Sequence, residues 1–121
     1  MPQVTIEFPI LVYMDDGQCV AHSLITGTVA VGNTSKAARE EVCELLEGEI
    51  QDALEQSKGD LRAALDCLQS PTPGWMVQAF FVSSMHLDDL KPRHVSTGGR
   101  RDAPKFLFPV REMNAPPAAI A

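Results

Sequence analysis

Apolar and polar residues alternate over residues 4–14. Val4, Ile6, Phe8, Ile10 and Val12 fall on one side, and Thr5, Glu7, Pro9, Leu11 and Tyr13 on the other. A period of two predicts a β-strand with two distinct faces. Pro9 has no N–H to give to a ladder, so its place is a sheet edge or a bulge. Asp15-Asp16-Gly17 supplies residues that tolerate the positive φ of a tight hairpin. Residues 18–25 then predict a second, antiparallel strand, and Thr26-Gly27 turns the chain into a short third strand over residues 28–31. These make a meander.

The period changes after Gly32-Asn33-Thr34. Thr34 or Ser35 can accept a hydrogen bond from the first free N–H groups of a helix. Ala38, Val42, Leu45, Leu46, Ile50, Ala53 and Leu54 then form an apolar stripe one helix face wide. Glu40, Glu41, Glu44, Glu47, Gln51, Asp52 and Glu55 fill the other side, with Gly48 among them. Lys58-Gly59 stops the helix, and Asp60 caps a shorter one carrying Leu61, Ala64, Leu65 and Leu68. Residues 71–74 (PTPG) read as a turn. Over residues 75–84 the aromatic and β-branched content favours a strand, while Thr72-Pro73 favours a helix start; the helix is preferred. Residues 92–104 read as a loop, 106–110 as one more strand, and 114–121 hold little that builds a core.

The fold class expected is therefore α+β: a three-stranded antiparallel meander with one long helix packed on one face, a short helix, and an irregular C-terminal segment. One domain over residues 1–90 is followed by a basic, Pro/Gly-rich extension over 91–121. A chain of 121 residues has room for one modest core.

Charge divides the chain the same way. Residues 1–90 hold four Lys/Arg against fourteen Asp/Glu, a net −10, and residues 91–121 hold six against two, a net +4. An acidic body suits a basic partner and repels nucleic-acid phosphates. A basic tail can lie on that body, on a neighbouring subunit, or on nucleic acid. No apolar run reaches the roughly 20 residues of a membrane span, and no basic region followed by an apolar one opens the chain, so a cytoplasmic protein is expected. Cys19, Cys43 and Cys67 show neither a zinc nor a disulfide spacing. Cys43 and Cys67, in helical patterns, are expected to be buried.

Candidate chemistry is sparse. His22 lies with Val20 and Leu24 on a strand, with Cys19 on the opposite face, and reads as a half-buried structural residue. An enzyme built on His22 is the weakest of the functional readings. His86 and His94, with Asp88 and Asp89 between, match no metal-ligand spacing. The carboxylates of the long helix sit at ordinary solvent-facing spacing, and Glu40, Glu41, Glu44 and Glu47 are the candidates for binding a basic partner. Ser96-Thr97-Gly98-Gly99-Arg100-Arg101 lacks the GxxxxGK[ST] pattern of a phosphate loop. With Arg93, Arg100 and Arg101 it forms a basic stretch for nucleic-acid contact. No cofactor and no metal are expected.

The run FPILVYMDDGQCVAHSLITGTVAVGNTSKAAREEVCELLEGEI over residues 8–50 resembles the N-terminal domain of HicB-family antitoxins and their stand-alone relatives. The resemblance is carried by Val20-Ala21-His22-Ser23 after an acidic-Gly turn, by Val29-Ala30-Val31-Gly32-Asn33-Thr34, and by Ala37-Ala38-Arg39-Glu40-Glu41 opening the helix. It implies a degenerate ribonuclease-H-like α+β domain without nuclease activity, in which His22, Gly32 and Thr34 are structural. It further implies dimers or tetramers, and a small basic HicA-type RNA-cleaving toxin as partner. Ser23 stands where the family has Cys. Residues 90–121 offer no DNA-binding helix pair, because Pro92, Gly98, Gly99, Pro104, Pro109, Pro116 and Pro117 interrupt every candidate; DNA binding is not expected. The function expected is that of a non-enzymatic interaction protein, the alternative being an orphan ligand- or RNA-binding module working through the basic C-terminal loop.

Overall fold

A computed structural model of the chain describes residues 5–86 and 104–113. Along them run β1 (Thr5–Glu7), β2 (Ile10–Asp15), β3 (Gln18–Ser23), β4 (Val29–Gly32), α1 (Ser35–Gln56), α2 (Leu61–Leu68), α3 (Gly74–Val82), β5 (Ser84–His86), β6 (Lys105–Leu107) and β7 (Val110–Glu112). The meander β2–β3–β4 forms as the alternation predicts. Asp16 and Gly17 both take positive φ, 52° and 77°, in the two-residue turn that sets Asp15 opposite Gln18.

The segment expected as one strand over residues 4–14 is two strands, broken at Phe8-Pro9. The break is matched at Phe108-Pro109, between β6 and β7. The two prolines lie side by side, because β1 runs parallel to β6 with Ile6 opposite Phe106, and β2 runs parallel to β7 with Ile10 opposite Val110. Between the strands Phe8 N–H donates to the Leu107 carbonyl and Ile10 N–H to the Pro109 carbonyl, both at 2.8 Å. Neither proline has a donor, so the regular ladder is interrupted at the same level on both chains.

The meander is part of a larger sheet, ordered β4-β3-β2-β7-β5, with β7 parallel to β2 and antiparallel to β5. This corrects the expectation of an irregular C-terminal segment with one strand over residues 106–110. The C-terminal chain inserts a strand in the sheet, and Phe106, Phe108 and Val110 are fully buried. Its partner β2 lies a hundred residues away, and no local pattern announces such a pairing.

Each sheet face builds its own core. On one, α1 lays Ala38, Val42, Cys43, Leu46, Ile50, Ala53 and Leu54 over Phe8, Ile10, Val12, Ala21, Ala30 and the C-terminal Phe106, Phe108 and Val110. Leu45, expected in that stripe, is 43% exposed, and Cys43 takes the buried place. Phe8 meets Phe108 edge-on at 6.0 Å between ring centroids. Thr34 caps α1 by accepting the Ala37 N–H, and Asp60 caps α2 through Ala63. Gly32 makes the tight entry into α1 possible: a Cβ there would stand 2.9 Å from the Ala38 nitrogen.

On the other face α3 covers Leu11, Leu24 and Met113 with Met76, Ala79 and Phe80, while Trp75 packs edge-on against Tyr13 at 5.7 Å. Residues 75–84 are thus mainly helical, as preferred, but Ser84 already belongs to β5. Pro73 occupies the cap position, and its carbonyl accepts from Met76. Arg111 closes the helix from the sheet, donating to the carbonyls of Phe80 and Phe81 at 3.1 and 3.0 Å with its guanidinium 4.9 Å from the Phe80 ring centroid. A cation at a helix C-terminus meets the negative end of the peptide dipoles.

Candidate functional site

Among the described residues, three surfaces hold candidate chemistry. The first is the outer side of α1; the whole helix carries seven Asp/Glu against Lys36 and Arg39, of which Glu49 and Asp52 line the second surface. Glu40, Glu41 and Glu44 are exposed and Glu47 is partly so. Lys36 pairs with Glu40 at 3.9 Å, and the Arg39 Nε–H donates to the Ser35 carbonyl. Packing the opposite stripe of α1 on the sheet holds this row of carboxylates on a rigid support. Water screens such groups, so the row attracts cationic surfaces without being arranged for proton transfer.

The second is a groove of 310 Å³ between the β3–β4 hairpin, α1 and α2, lined by Thr26, Glu49, Asp52, Ala53, Gln56, Cys67 and Leu68. Its hydroxyls are chained. Thr26 Oγ1 donates to Ser23 Oγ at 2.8 Å and lies 2.7 Å from Thr28 Oγ1, which reaches both Glu49 oxygens at 2.9 and 2.7 Å. Ser23 is fully buried. The chain ties the hairpin to the helix. Cys67, expected to be buried, is exposed, because the eight-residue α2 turns only Ala64 fully inward. The sequence reading passed over Thr26, Thr28 and Glu49, since a hydrogen bond across 21 positions has no periodic signature.

The third is the sheet face over β3 and β4 beside α3, buried at Val20 and open at β4. His22 lies there in one row with Leu11 and Val29, and Val20 in the next row with Tyr13 and Val31. Val29 and Val31 are each 44% exposed. His22 is half-buried, and desolvation pushes its pKa below the ordinary 6.5. Its cross-strand neighbours are apolar, and Cys19 points to the other face, with its Sγ 3.2 Å from Met14 Sδ. Among the described residues, the arrangement brings neither a nucleophile nor a carboxylate to the imidazole. Outward on α3, Phe81 is 69% and Val82 78% exposed, with Val77 beside them.

Arg93, Arg100 and Arg101, and with them the proposed nucleic-acid stretch and His94, lie outside the described residues. Among the described residues no three His, Cys, Asp or Glu gather as metal ligands, and no helix is long and apolar enough to cross a membrane. Gly32, the last residue of β4, and Thr34 stand at the strand-to-helix junction and set the position of α1. Compared with family models, curated proteins and solved structures, the chain matches none of them.

Proposed function

We propose that this chain is a non-enzymatic interaction domain of the HicB-like antitoxin type, whose acidic surface takes a small basic protein, such as an RNA-cleaving toxin, as partner. The observation that carries the reading is the outer side of α1, with Glu40, Glu41 and Glu44 exposed on a helix anchored along its whole opposite stripe. A fixed row of like charges raises the encounter rate with a surface of opposite sign and disfavours wrong partners. The antiparallel meander with a helix across it agrees with what the resemblance of residues 8–50 implies. Self-association belongs to the same reading and is supported by Val77, Phe81 and Val82, apolar residues facing outward on a helix that carries no charge.

The test is a pull-down from a lysate of the source cells, with and without nuclease, using the parent chain and a Glu44→Lys, Glu47→Lys variant. A small basic protein retained by the parent after nuclease treatment, and lost by the variant, is the expected result. Retention that depends on nucleic acid and disappears with Arg100→Ala plus Arg101→Ala would replace this reading by that of an RNA-binding module.

A further inference from the structure

Among the described residues β4 ends the sheet with one side unpaired. Ser23 N–H donates to the Thr28 carbonyl at 2.8 Å, so Ser23 and Thr28 form a hydrogen-bonded pair. The antiparallel register sets His22 opposite Val29, Ala21 opposite Ala30 and Val20 opposite Val31. Bonded and non-bonded pairs alternate in such a ladder. The N–H and C=O groups of Val29 and Val31 therefore point away from β3, toward the free edge. Residues 28–33 (TVAVGN) contain neither a charge nor a proline, two of the usual means of blocking an edge.

The two faces beside this edge differ in chemistry. On the open sheet face stand Val29 and Val31, next to half-buried His22. On the other face lies α1, whose flank is fixed against β4 by the bonds from Thr28 Oγ1 to Glu49. Helical spacing places Glu41, Leu45 and Asp52 on the same flank as Glu49, and Glu41 and Asp52 are exposed. The two bases of α1 are engaged elsewhere, Lys36 with Glu40 and Arg39 with the Ser35 carbonyl.

We propose that the β4 edge, with the Glu41–Asp52 flank of α1, is a strand-addition site for an extended segment of a basic partner protein, in which apolar side chains alternate with Lys or Arg. Successive side chains of an added strand point to opposite faces. One set meets Val29 and Val31, the other meets Glu41 and Asp52, and the backbone groups of Val29 and Val31 supply the ladder. Charge complementarity selects this occupant over a second copy, which would bring two acidic flanks together. The inference rests on the basic-partner reading above and says where that partner docks.

The probe is a capped nine-residue peptide of alternating Lys and Val, with a scrambled peptide of the same composition as control. The alternating peptide is expected to bind saturably, about tenfold or more tighter than the scrambled one, and to slow hydrogen exchange at the Val29 and Val31 amides. Val31→Lys changes an exposed side chain; it is expected to keep the thermal midpoint and lose this binding. Glu41→Lys with Asp52→Lys is expected to weaken it and flatten its salt dependence. Equal binding of both peptides, unchanged binding by Val31→Lys, or no saturable binding would each overturn the edge site. A dimer in light scattering that Val31→Lys dissolves would overturn the occupant in favour of a second copy. A basic cellular protein retained equally by the parent and by Val31→Lys would remove the edge site and leave the basic-partner reading standing. Edge binding of the alternating peptide without any basic cellular partner would do the reverse.

Discussion

Replacing Phe108 by Ala tests whether the C-terminal strands belong to the folding unit. Phe108 is fully buried, between β6 and β7, edge-on to Phe8, which in turn lies 6.2 Å from Phe106. Truncating a buried Phe to Ala costs about 3–5 kcal/mol in transfer and cavity terms. The edge-to-face contact accounts for about 0.5–1.5 kcal/mol of that. A domain of this size is stable by about 5–15 kcal/mol, so the change removes about a fifth of the margin or more. At roughly 3–6 °C per kcal/mol for a chain of intermediate length, the midpoint falls by roughly 9–30 °C. Thermal unfolding followed by far-UV circular dichroism reads this directly, with urea unfolding to check that the slope is kept. Lys105→Ala, at an exposed position of β6, is the control, expected to stay within about 0.5 kcal/mol. A Phe108→Ala midpoint within about 3 °C of the parent would refute the argument; residues 105–113 would then lie on the core without being part of it.

Two further expectations concern the meander and its helix. Gly32→Ala places a Cβ 2.9 Å from the Ala38 nitrogen, backbone that cannot yield cheaply, and should cost about 1–3 kcal/mol. Gly48→Ala meets nothing within 4 Å and should add up to about 1 kcal/mol through helix propensity. Urea midpoints moving in the same direction for both would contradict the packing described for the strand-to-helix junction. His22 supplies a pH dependence. Its folded pKa lies below the ordinary 6.5 because burial disfavours the imidazolium, so the unfolded chain binds the extra proton first as pH falls. This contribution is complete above about pH 6.5 and is lost as pH drops toward the folded value. Urea midpoints at a series of pH values should fall through that window for the parent and fall less for His22→Gln; parallel curves would show that His22 is not the group responsible.

Much of the meander and α1 is legible from local spacing. The alternation of Ile10, Val12, Leu11 and Tyr13 places the right residues on the right faces, and Asp16-Gly17, Thr34, Lys58-Gly59 and Asp60 mark turns and caps through their own backbone preferences. The errors share one cause. Cys43 is buried as its helical pattern suggests, whereas Leu45, at the margin of the apolar stripe of α1, is left uncovered by the sheet. Cys67 looks inward by period, yet α2 is too short and too peripheral to bury more than one line of side chains. The C-terminal segment reads as irregular because Pro104 and Pro109 interrupt it, and what rescues it is a neighbour with the same interruption, Phe8-Pro9 beside Phe108-Pro109.

The candidate surfaces divide along the same line. The carboxylates of Glu40, Glu41, Glu44 and Glu47 are visible as an acidic helix face, since a period of 3.6 suffices to group them. The Thr28–Glu49 bond, the outward-pointing amides of Val29 and Val31, and the open face beside α3 are not, since each depends on which strand lies at an edge. By itself the sequence determined what short-range sterics and periodicity control: strand, turn, cap, helix face and the sign of the charge. Tertiary structure alone decided the order β4-β3-β2-β7-β5, the burial of Phe106, Phe108 and Val110, and, among the described residues, the free edge at β4. Pairing across a hundred residues is chosen by the burial it allows, and that quantity exists only once the whole sheet is assembled.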